Sequence, residues 1–125
     1  MKRLPDTELE LMMIIWNADG PITRMEIEEH MDKDRKILCN SVLSFLSRLE
    51  KKGFVKREKR GKINYYSATI AKEPYLKETG RSFLKKMFQG SLANFAAALY
   101  DNEEIEQDEL NELLIFLEQK DEKRG

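Results

Sequence analysis

Apolar side chains in the first third of the chain recur at helical spacing and predict two helices. The first begins near Asp6, which we expect to act as its N-cap, and it ends before Gly20-Pro21. The second begins at a capping box, because Thr23 is followed three residues later by Glu26. Trp16, at the end of the first apolar series, is expected to anchor a core or an interface.

A third helix, predicted from about residue 39 to residue 52, has two contrasting faces. Its apolar face carries Val42, Phe45, Leu46 and Leu49. The opposite face carries small polar and cationic side chains, namely Asn40, Ser44, Ser47, Arg48 and Lys51, with Ser41 at its edge. Leu43 lies at the edge between the two faces. Gly53 is expected to end the helix, after two lysines that suit the negative end of its dipole.

Two short β-like runs, FVKRE (54–58) and INYYSAT (63–69), follow the third helix and predict a hairpin with Gly61 at its turn. Tyr65 and Tyr66 alternate along the second run, so one is expected to pack inward and the other to face outward. The order of helix, capped short helix, longer helix and hairpin predicts a winged helix-turn-helix. The expected fold class is therefore mainly α with a small two-stranded antiparallel wing.

Beyond residue 70 the sequence predicts three further helices that are rich in large apolar side chains. Their sequences are EPYLKETGRSFLKKMF (73–88), SLANFAAALYDN (91–102) and EQDELNELLIFLEQK (106–120). Helices this short cannot bury so many apolar groups against a small head, so a second copy of the chain is the natural cover. We therefore expect a DNA-binding head at residues 1–70 and a dimerisation segment at residues 71–125. The expected dimer interface comprises Phe83, Leu84, Phe88, Phe95, Leu110, Leu113, Leu114 and Leu117.

Charged side chains are distributed unevenly, although the net charge is only −1. Residues 33–62 contain eleven lysines and arginines and three acidic residues, whereas residues 71–125 contain eight basic and twelve acidic residues. A concentrated basic stretch is typical of a surface that binds phosphates. A solvated, charge-rich face without a binding role is the alternative interpretation.

The composition argues against several other classes of protein. No apolar run approaches the roughly 20 residues of a membrane span, and the first apolar stretch contains carboxylates, unlike a signal peptide. Cys39 is the only cysteine and His30 the only histidine, so neither a disulfide framework nor a Cys/His metal site is expected. No catalytic set or phosphate-binding glycine loop is visible. We expect a cytoplasmic protein without membrane insertion, enzymatic activity, metal or cofactor.

The third helix and the hairpin together predict where double-stranded DNA would bind. The helix would lie in the major groove, where short polar side chains allow close approach to base edges, and the hairpin tip would reach phosphates. Leu43 can touch a thymine methyl group or pack in the core. A merely solvated face is the alternative for the whole set. The expected DNA-binding residues are Lys36, Asn40, Ser41, Ser44, Arg48, Lys51, Lys52, Arg60, Lys62 and Tyr65.

The run SVLSFLSRLEKKGFVKREKRGKINYYSATI (41–70) resembles the penicillinase repressor family of winged-helix transcriptional regulators. The family's recognition helix ends in R-L-x-K-K-G, here residues 48–53, and its wing ends in an aromatic-rich run, here at Tyr65 and Tyr66. Trp16 occupies the family's tryptophan position in the first helix. FLKKMFQGSLANF (83–95) is similar to the segment that opens the family's dimerisation helices.

The resemblance implies a homodimer that binds a palindromic operator and represses its promoter. In antibiotic-sensing members, the signal of a membrane sensor leads to cleavage of the repressor at an Asn-Phe bond among the first dimerisation helices. Here the aligned position is Ala98-Leu99 and the only Asn-Phe pair is Asn94-Phe95, so any cut is expected between Asn94 and Phe95. Loss of dimer contacts through an effector is the alternative way to release the DNA. Copper-responsive members carry clustered C-terminal cysteines, which this chain lacks after Cys39.

Two other functions are compatible with a winged helix. It can serve only as a protein-interaction module, although the basic hairpin tip at residues 59–62 argues against this. It can also be gated by a small effector, as in regulators of the multidrug or phenolic-acid type. Those regulators usually need helices that flank the head, whereas this N-terminus begins directly at the first helix.

Overall fold

The computed structural model describes residues 3–31, 39–101 and 106–124. In chain order its elements are α1 Asp6–Asn17, β1 Ile22–Thr23, α2 Arg24–His30, α3 Cys39–Lys51, β2 Val55–Arg60, β3 Ile63–Ala68, α4 Lys72–Phe88, α5 Leu92–Asp101 and α6 Gln107–Arg124. The chain divides into two compact units, Met1–Thr79 and Gly80–Gly125, and the division falls within α4. The expected fold class, mainly α with a small antiparallel wing, is confirmed.

The expected hairpin belongs to a three-stranded sheet with the order β1-β3-β2. β2 and β3 pair with Arg60 opposite Ile63, across a two-residue turn at Gly61-Lys62. Gly61 has a φ of 65°, and a glycine with positive φ suits the first central position of a type II′ hairpin turn. On the other side of β3, Ile22 of β1 lies opposite Tyr66. The third strand is therefore the one addition to the expected wing.

The starts of α1 and α2 differ in how far they follow the sequence prediction. At α2 the capping box is confirmed, because Thr23 Oγ1 accepts from the Glu26 amide at 3.2 Å and Glu26 Oε1 accepts from the Thr23 amide at 3.3 Å. At α1 the expectation that Asp6 is the N-cap is wrong. Asp6 is the first helical residue, and Pro5 occupies the N-cap position without a side-chain bond. The fixed φ of proline suits this entry, and the Pro5 carbonyl accepts from Leu9 N at 2.9 Å.

The core of the first unit lies among α1, α2, α3 and the sheet. The apolar face expected on α3 is fully buried at Val42, Leu46 and Leu49. Trp16 is confirmed as a core anchor, since it packs against the buried cluster and its Nε1 donates to the Ile70 carbonyl at 2.8 Å. Because apolar burial is the main favourable term in folding, this arrangement fixes α3 with its polar face outward.

Tyr75, in the first turns of α4, completes that core. Its side chain is 1% exposed, and its ring centroid lies 5.5 Å from that of Trp16 and 5.6 Å from that of Phe54. The Tyr75 hydroxyl accepts a hydrogen bond from the Leu4 amide at 2.8 Å. The beginning of α4 therefore belongs to the packing of the first unit.

The second unit contains an aromatic cluster and an exposed apolar helix. The rings of Phe83, Phe88 and Phe95 lie with centroids 5.3 to 6.0 Å apart. On α6, residues 113–117 are large and apolar, and each is 40 to 55% exposed. None of the helices in the described part of the chain is long and apolar enough to cross a membrane.

Candidate nucleic-acid interface

The outward face of α3 is polar and accessible. Ser44, Ser47, Arg48 and Lys51 are exposed and Ser41 is half-buried, as the helical pattern predicts. The guanidinium carbon of Arg48 lies 5.3 Å from the ring centroid of Phe45, a cation–π distance. This contact places the guanidinium group over the Phe45 ring, and its N–H groups keep their capacity to donate hydrogen bonds.

The end of α3 is tied to the base of the wing. Gly53 has a φ of 81°, its amide donates to the Glu50 carbonyl at 3.1 Å, and the Phe54 amide donates to the Leu49 carbonyl at 2.9 Å. This pair of bonds is the Schellman motif, so the expectation that Gly53 ends the helix is confirmed. Thr69 Oγ1 donates to the Gly53 carbonyl at 2.6 Å and holds the chain just after β3 against the helix end.

The wing presents a row of charged side chains. All residues of β2 after Val55 are exposed, and four of these five are basic: Lys56, Arg57, Lys59 and Arg60. The guanidinium carbon of Arg60 lies 4.9 Å from the ring centroid of Tyr65, and one of its nitrogens lies 3.5 Å from a carboxylate oxygen of Glu58. Stacking on Tyr65 therefore supports Arg60 near the hairpin tip.

The two wing tyrosines have different environments, as their alternation predicts. Tyr66 is buried and Tyr65 is half-buried. Burial raises the pKa of the Tyr66 hydroxyl above its usual value of 10.0, although the nearby guanidinium of Arg57 opposes the shift. Tyr66 therefore acts as a neutral core side chain, and Tyr65 is the tyrosine available to a ligand.

α3 and the wing share a cleft of about 570 Å³, which brings further side chains beside the expected set. Leu43, Ser47 and Lys51 line it from the helix, and Arg57 and Asn64 line it from the strands. Arg57 and Asn64 were not among the expected DNA-binding residues, since only the pairing of β2 with β3 places them next to α3. Arg57 could have been found as one member of the basic run; Asn64 carried no such signal.

Four other residues were expected to bind DNA: Lys62, Lys52, Lys36 and Asn40. Lys62 is exposed at the hairpin turn. Lys52 forms an ion pair with Glu8, at 2.7 Å from Nζ to Oε1. Lys36 lies outside the described residues, and Asn40 belongs to α3 but its side chain is not among those described. Within the described ranges, no three His, Cys, Asp or Glu side chains are grouped so that they could hold a metal ion.

The residues expected at a dimer interface and at a cleavage site belong to the second unit. Phe83, Leu84, Phe88, Phe95 and Leu110 are half-buried, whereas Leu113, Leu114 and Leu117 are exposed. Asn94 is exposed, and its amide donates to Ser91 Oγ at 3.0 Å. The only Asn-Phe pair in the chain therefore lies in the first turn of α5.

Comparisons with known proteins find relatives over nearly the whole chain. The model of the family described as penicillinase repressor matches residues 4–119. The penicillinase repressor of Bacillus licheniformis is 30% identical over 122 residues, covering 95% of this chain and 94% of that protein. The methicillin resistance regulatory protein MecI of Staphylococcus aureus (strain N315) is 30% identical over 118 residues, covering 94% of both. Among solved structures, the transcriptional regulator SlyA aligns with a TM-score of 0.44 at 20% identity, over 94% of this chain and 73% of that one.

The family match extends through both compact units of the structure. It begins at Leu4, whose amide is bound to Tyr75, and it ends within α6. The match confirms the resemblance found in the sequence, and the family is one of repressors and not of enzymes. This protein is a member of the penicillinase repressor family.

Proposed function

We propose that this protein is a cytoplasmic, DNA-binding transcriptional repressor that acts as a homodimer on a palindromic operator. The observation that carries the proposal is the two-faced character of α3. Val42, Leu46 and Leu49 are buried, while Ser44 and Arg48 are exposed on the other side. The names of its relatives, a penicillinase repressor and a methicillin resistance regulatory protein, support the same function.

The chemistry of the exposed face suits the major groove of duplex DNA. Serine hydroxyls are short enough for the helix backbone to approach the bases, and they can donate to or accept from base edges. Arg48 can donate two parallel hydrogen bonds to a guanine. The basic side chains of β2 and Lys62 at the turn would bind phosphates, which supply affinity and orientation without reading sequence.

The apolar character of α6 supports the proposed homodimer. Three leucines of α6 are exposed in the single chain: Leu113, Leu114 and Leu117. A helix from a second copy would bury them. Two heads that bind adjacent major grooves on one side of the duplex must lie about 34–36 Å apart. A twofold dimer of this kind reads two inverted half-sites, so the operator is a palindrome.

The test begins with selection of binding sites from random duplex DNA by the full-length protein. We expect the selected sequences to converge on a palindrome. If the dimer neutralises roughly 6–10 phosphates, its affinity for that palindrome should fall about 10³- to 10⁵-fold between 50 and 200 mM salt. A scrambled duplex of the same composition is the control. Equal affinity for both duplexes, or an affinity that does not change with salt, would contradict the proposal.

The names of the relatives favour an antibiotic as the signal that induces the repressed promoter. The resemblance to antibiotic-sensing members implies cleavage in the dimerisation helices, through the pathway of a membrane sensor protease. In this chain the aligned position is Ala98-Leu99, but the only Asn-Phe pair is Asn94-Phe95, so we place the cut between Asn94 and Phe95. A cut there would separate the heads from α6 and weaken the dimer by mass action. Measuring transcription from the operator with and without a cell-wall antibiotic tests whether this signal acts at all.

A further inference from the structure

Three large apolar side chains are exposed close together in the first unit. Met25 is 63% exposed, Leu43 42% and Ile63 53%. They come from α2, α3 and β3, yet all three line one cleft of about 280 Å³, with Lys62 and Asn64 among the other lining residues. A single exposed apolar side chain is ordinary, whereas exposed apolar side chains grouped from three elements form a candidate binding surface.

This apolar patch, defined as Met25, Leu43 and Ile63, borders the polar face of α3. Leu43 precedes Ser44 by one residue and Ser47 by four, so on the helix its side chain lies beside that of Ser47. Leu43 also lines the larger cleft that Ser47 and Lys51 share with the wing. The apolar patch is therefore continuous with the surface that would face DNA.

The charges around the apolar patch indicate its occupant. Arg24 and Lys62 line the same cleft, and Lys51, Arg57 and Glu50 line the neighbouring one, so four cations accompany one carboxylate. A second copy of this surface would bring like charges together, which disfavours association. Duplex DNA instead offers apolar groups between anions, because the C5-methyl group of thymine projects into the major groove between the phosphate backbones.

We propose that Leu43 reads a thymine methyl group in each operator half-site, with Met25 and Ile63 extending the apolar surface around it. This inference rests on the proposed function and adds a residue that determines which sequence is preferred. Burying one methyl group is worth about a fourfold change in affinity, or roughly fifteenfold when both half-sites are changed. Leu43 thus contributes to specificity without making any hydrogen bond.

The test replaces thymines of the selected operator, in symmetric pairs, with deoxyuridine, which lacks the methyl group and keeps the base pairing. At one pair of positions we expect wild-type affinity to fall roughly fifteenfold. The Leu43→Ala variant should bind the thymine and uracil operators within about twofold of each other. Lys51→Ala is the matched control, because it should weaken binding to both operators and keep the full uracil penalty.

Two results would overturn the inference about Leu43. One is that no uracil pair weakens wild-type binding, and the other is that the penalty persists undiminished in Leu43→Ala. In either case the proposed function still stands, provided that the palindrome is preferred and affinity falls with salt. Equal affinity for every duplex would instead overturn the proposed function. Leu43→Gln is a second variant, and unchanged thermal unfolding shows that each variant is folded.

Discussion

Lys52 Nζ lies 2.7 Å from Oε1 of Glu8, and this ion pair joins the residue after α3 to the first turn of α1. The Glu8 side chain is only 3% exposed, while that of Lys52 is 42% exposed. When a buried carboxylate loses the cation that is paired with it, the cost of removing the carboxylate from water is no longer compensated. We therefore infer that Lys52 stabilises the head more than it binds phosphate.

Replacing Lys52 by methionine should lower the free energy of unfolding by about 1–3 kcal/mol, because the buried Glu8 carboxylate is left without its cation. Glu8→Gln combined with Lys52→Met should recover much of that loss, since both charges are then gone. Urea unfolding of the full chain measures the difference. Lys51→Met is the matched control, as Lys51 is exposed beside Lys52. A loss no larger than that of the control would contradict this role.

Local motifs were the part of the fold that the sequence could predict. The capping box of Thr23 and Glu26 and the helix end at Gly53 each depend on residues within five positions of one another. The amphipathic pattern of α3 likewise predicted which side chains are buried. The exception was Asp6, where two adjacent residues, Pro5 and Asp6, could both start the helix and side-chain preference favoured the wrong one.

Contacts between distant residues could not be predicted in the same way. β1 has only two residues and is defined by its pairing with Tyr65 and Tyr66, more than forty positions later. The Lys52–Glu8 pair spans 44 positions, and it shows that a basic residue at the end of α3 can be engaged in an ion pair within the head. For the same reason the apolar patch was recognised only in part, through Leu43, because Met25 and Ile63 join it by folding alone.

Tyr75 should be essential to the stability of the first unit, although it follows the boundary expected at residue 70. Its ring is buried between Trp16 and Phe54, so Tyr75→Ala should cost about 3–5 kcal/mol in the free energy of unfolding. A fragment of residues 1–79 should accordingly fold, whereas a fragment of residues 1–72 should be much less stable. Circular dichroism during urea unfolding measures both. Lys77→Ala, at an exposed position of α4, is the control and should cost little.

Arg48 and Arg60 should affect DNA binding in different ways. Arg48→Ala removes a side chain that can read a base, so it should cost about 1–3 kcal/mol on the selected operator and relax the preference at one position of each half-site. Arg60→Ala should weaken binding to all duplexes about equally and reduce the salt slope by about one for each phosphate that Arg60 neutralises. Fluorescence anisotropy titrations on operator and scrambled duplexes, at several salt concentrations, separate the two effects. The assignment fails if Arg60→Ala alters which base is preferred.

The apolar face of α6 should determine the oligomeric state. Leu114 and Leu117 are exposed and lie on one face of the helix, so Leu114→Glu with Leu117→Glu would place charges in the proposed dimer interface. We expect sedimentation at micromolar concentration to show a dimer for wild type and a monomer for the double variant, with weaker operator binding. Glu112→Ala, on the opposite side of α6, is the control and should remain dimeric. A monomeric wild-type chain would contradict the proposed dimer.

Two contacts within the second unit protect the bond between Asn94 and Phe95. Ser91 Oγ accepts from the Asn94 amide at 3.0 Å and so caps the start of α5. The Phe95 ring lies 5.3 Å from that of Phe88 and 5.7 Å from that of Phe83. Cleavage requires extended backbone, so the bond can be cut only after this first turn opens locally.

Opening at Asn94-Phe95 should nevertheless cost less than opening at Ala98-Leu99, because helix ends fray first and the three alanines before Leu99 are the strongest helix formers. Ser91→Ala removes a cap worth about 1 kcal/mol, so an asparagine-specific protease should cut the variant about fivefold faster than wild type. Thr79→Ala, outside α5, should leave the rate unchanged. In the host, intact-mass measurements before and after a cell-wall antibiotic should show fragments 1–94 and 95–125. A cut between Ala98 and Leu99 would contradict the assigned bond, and an intact chain under conditions that induce the target promoter would eliminate the cleavage route.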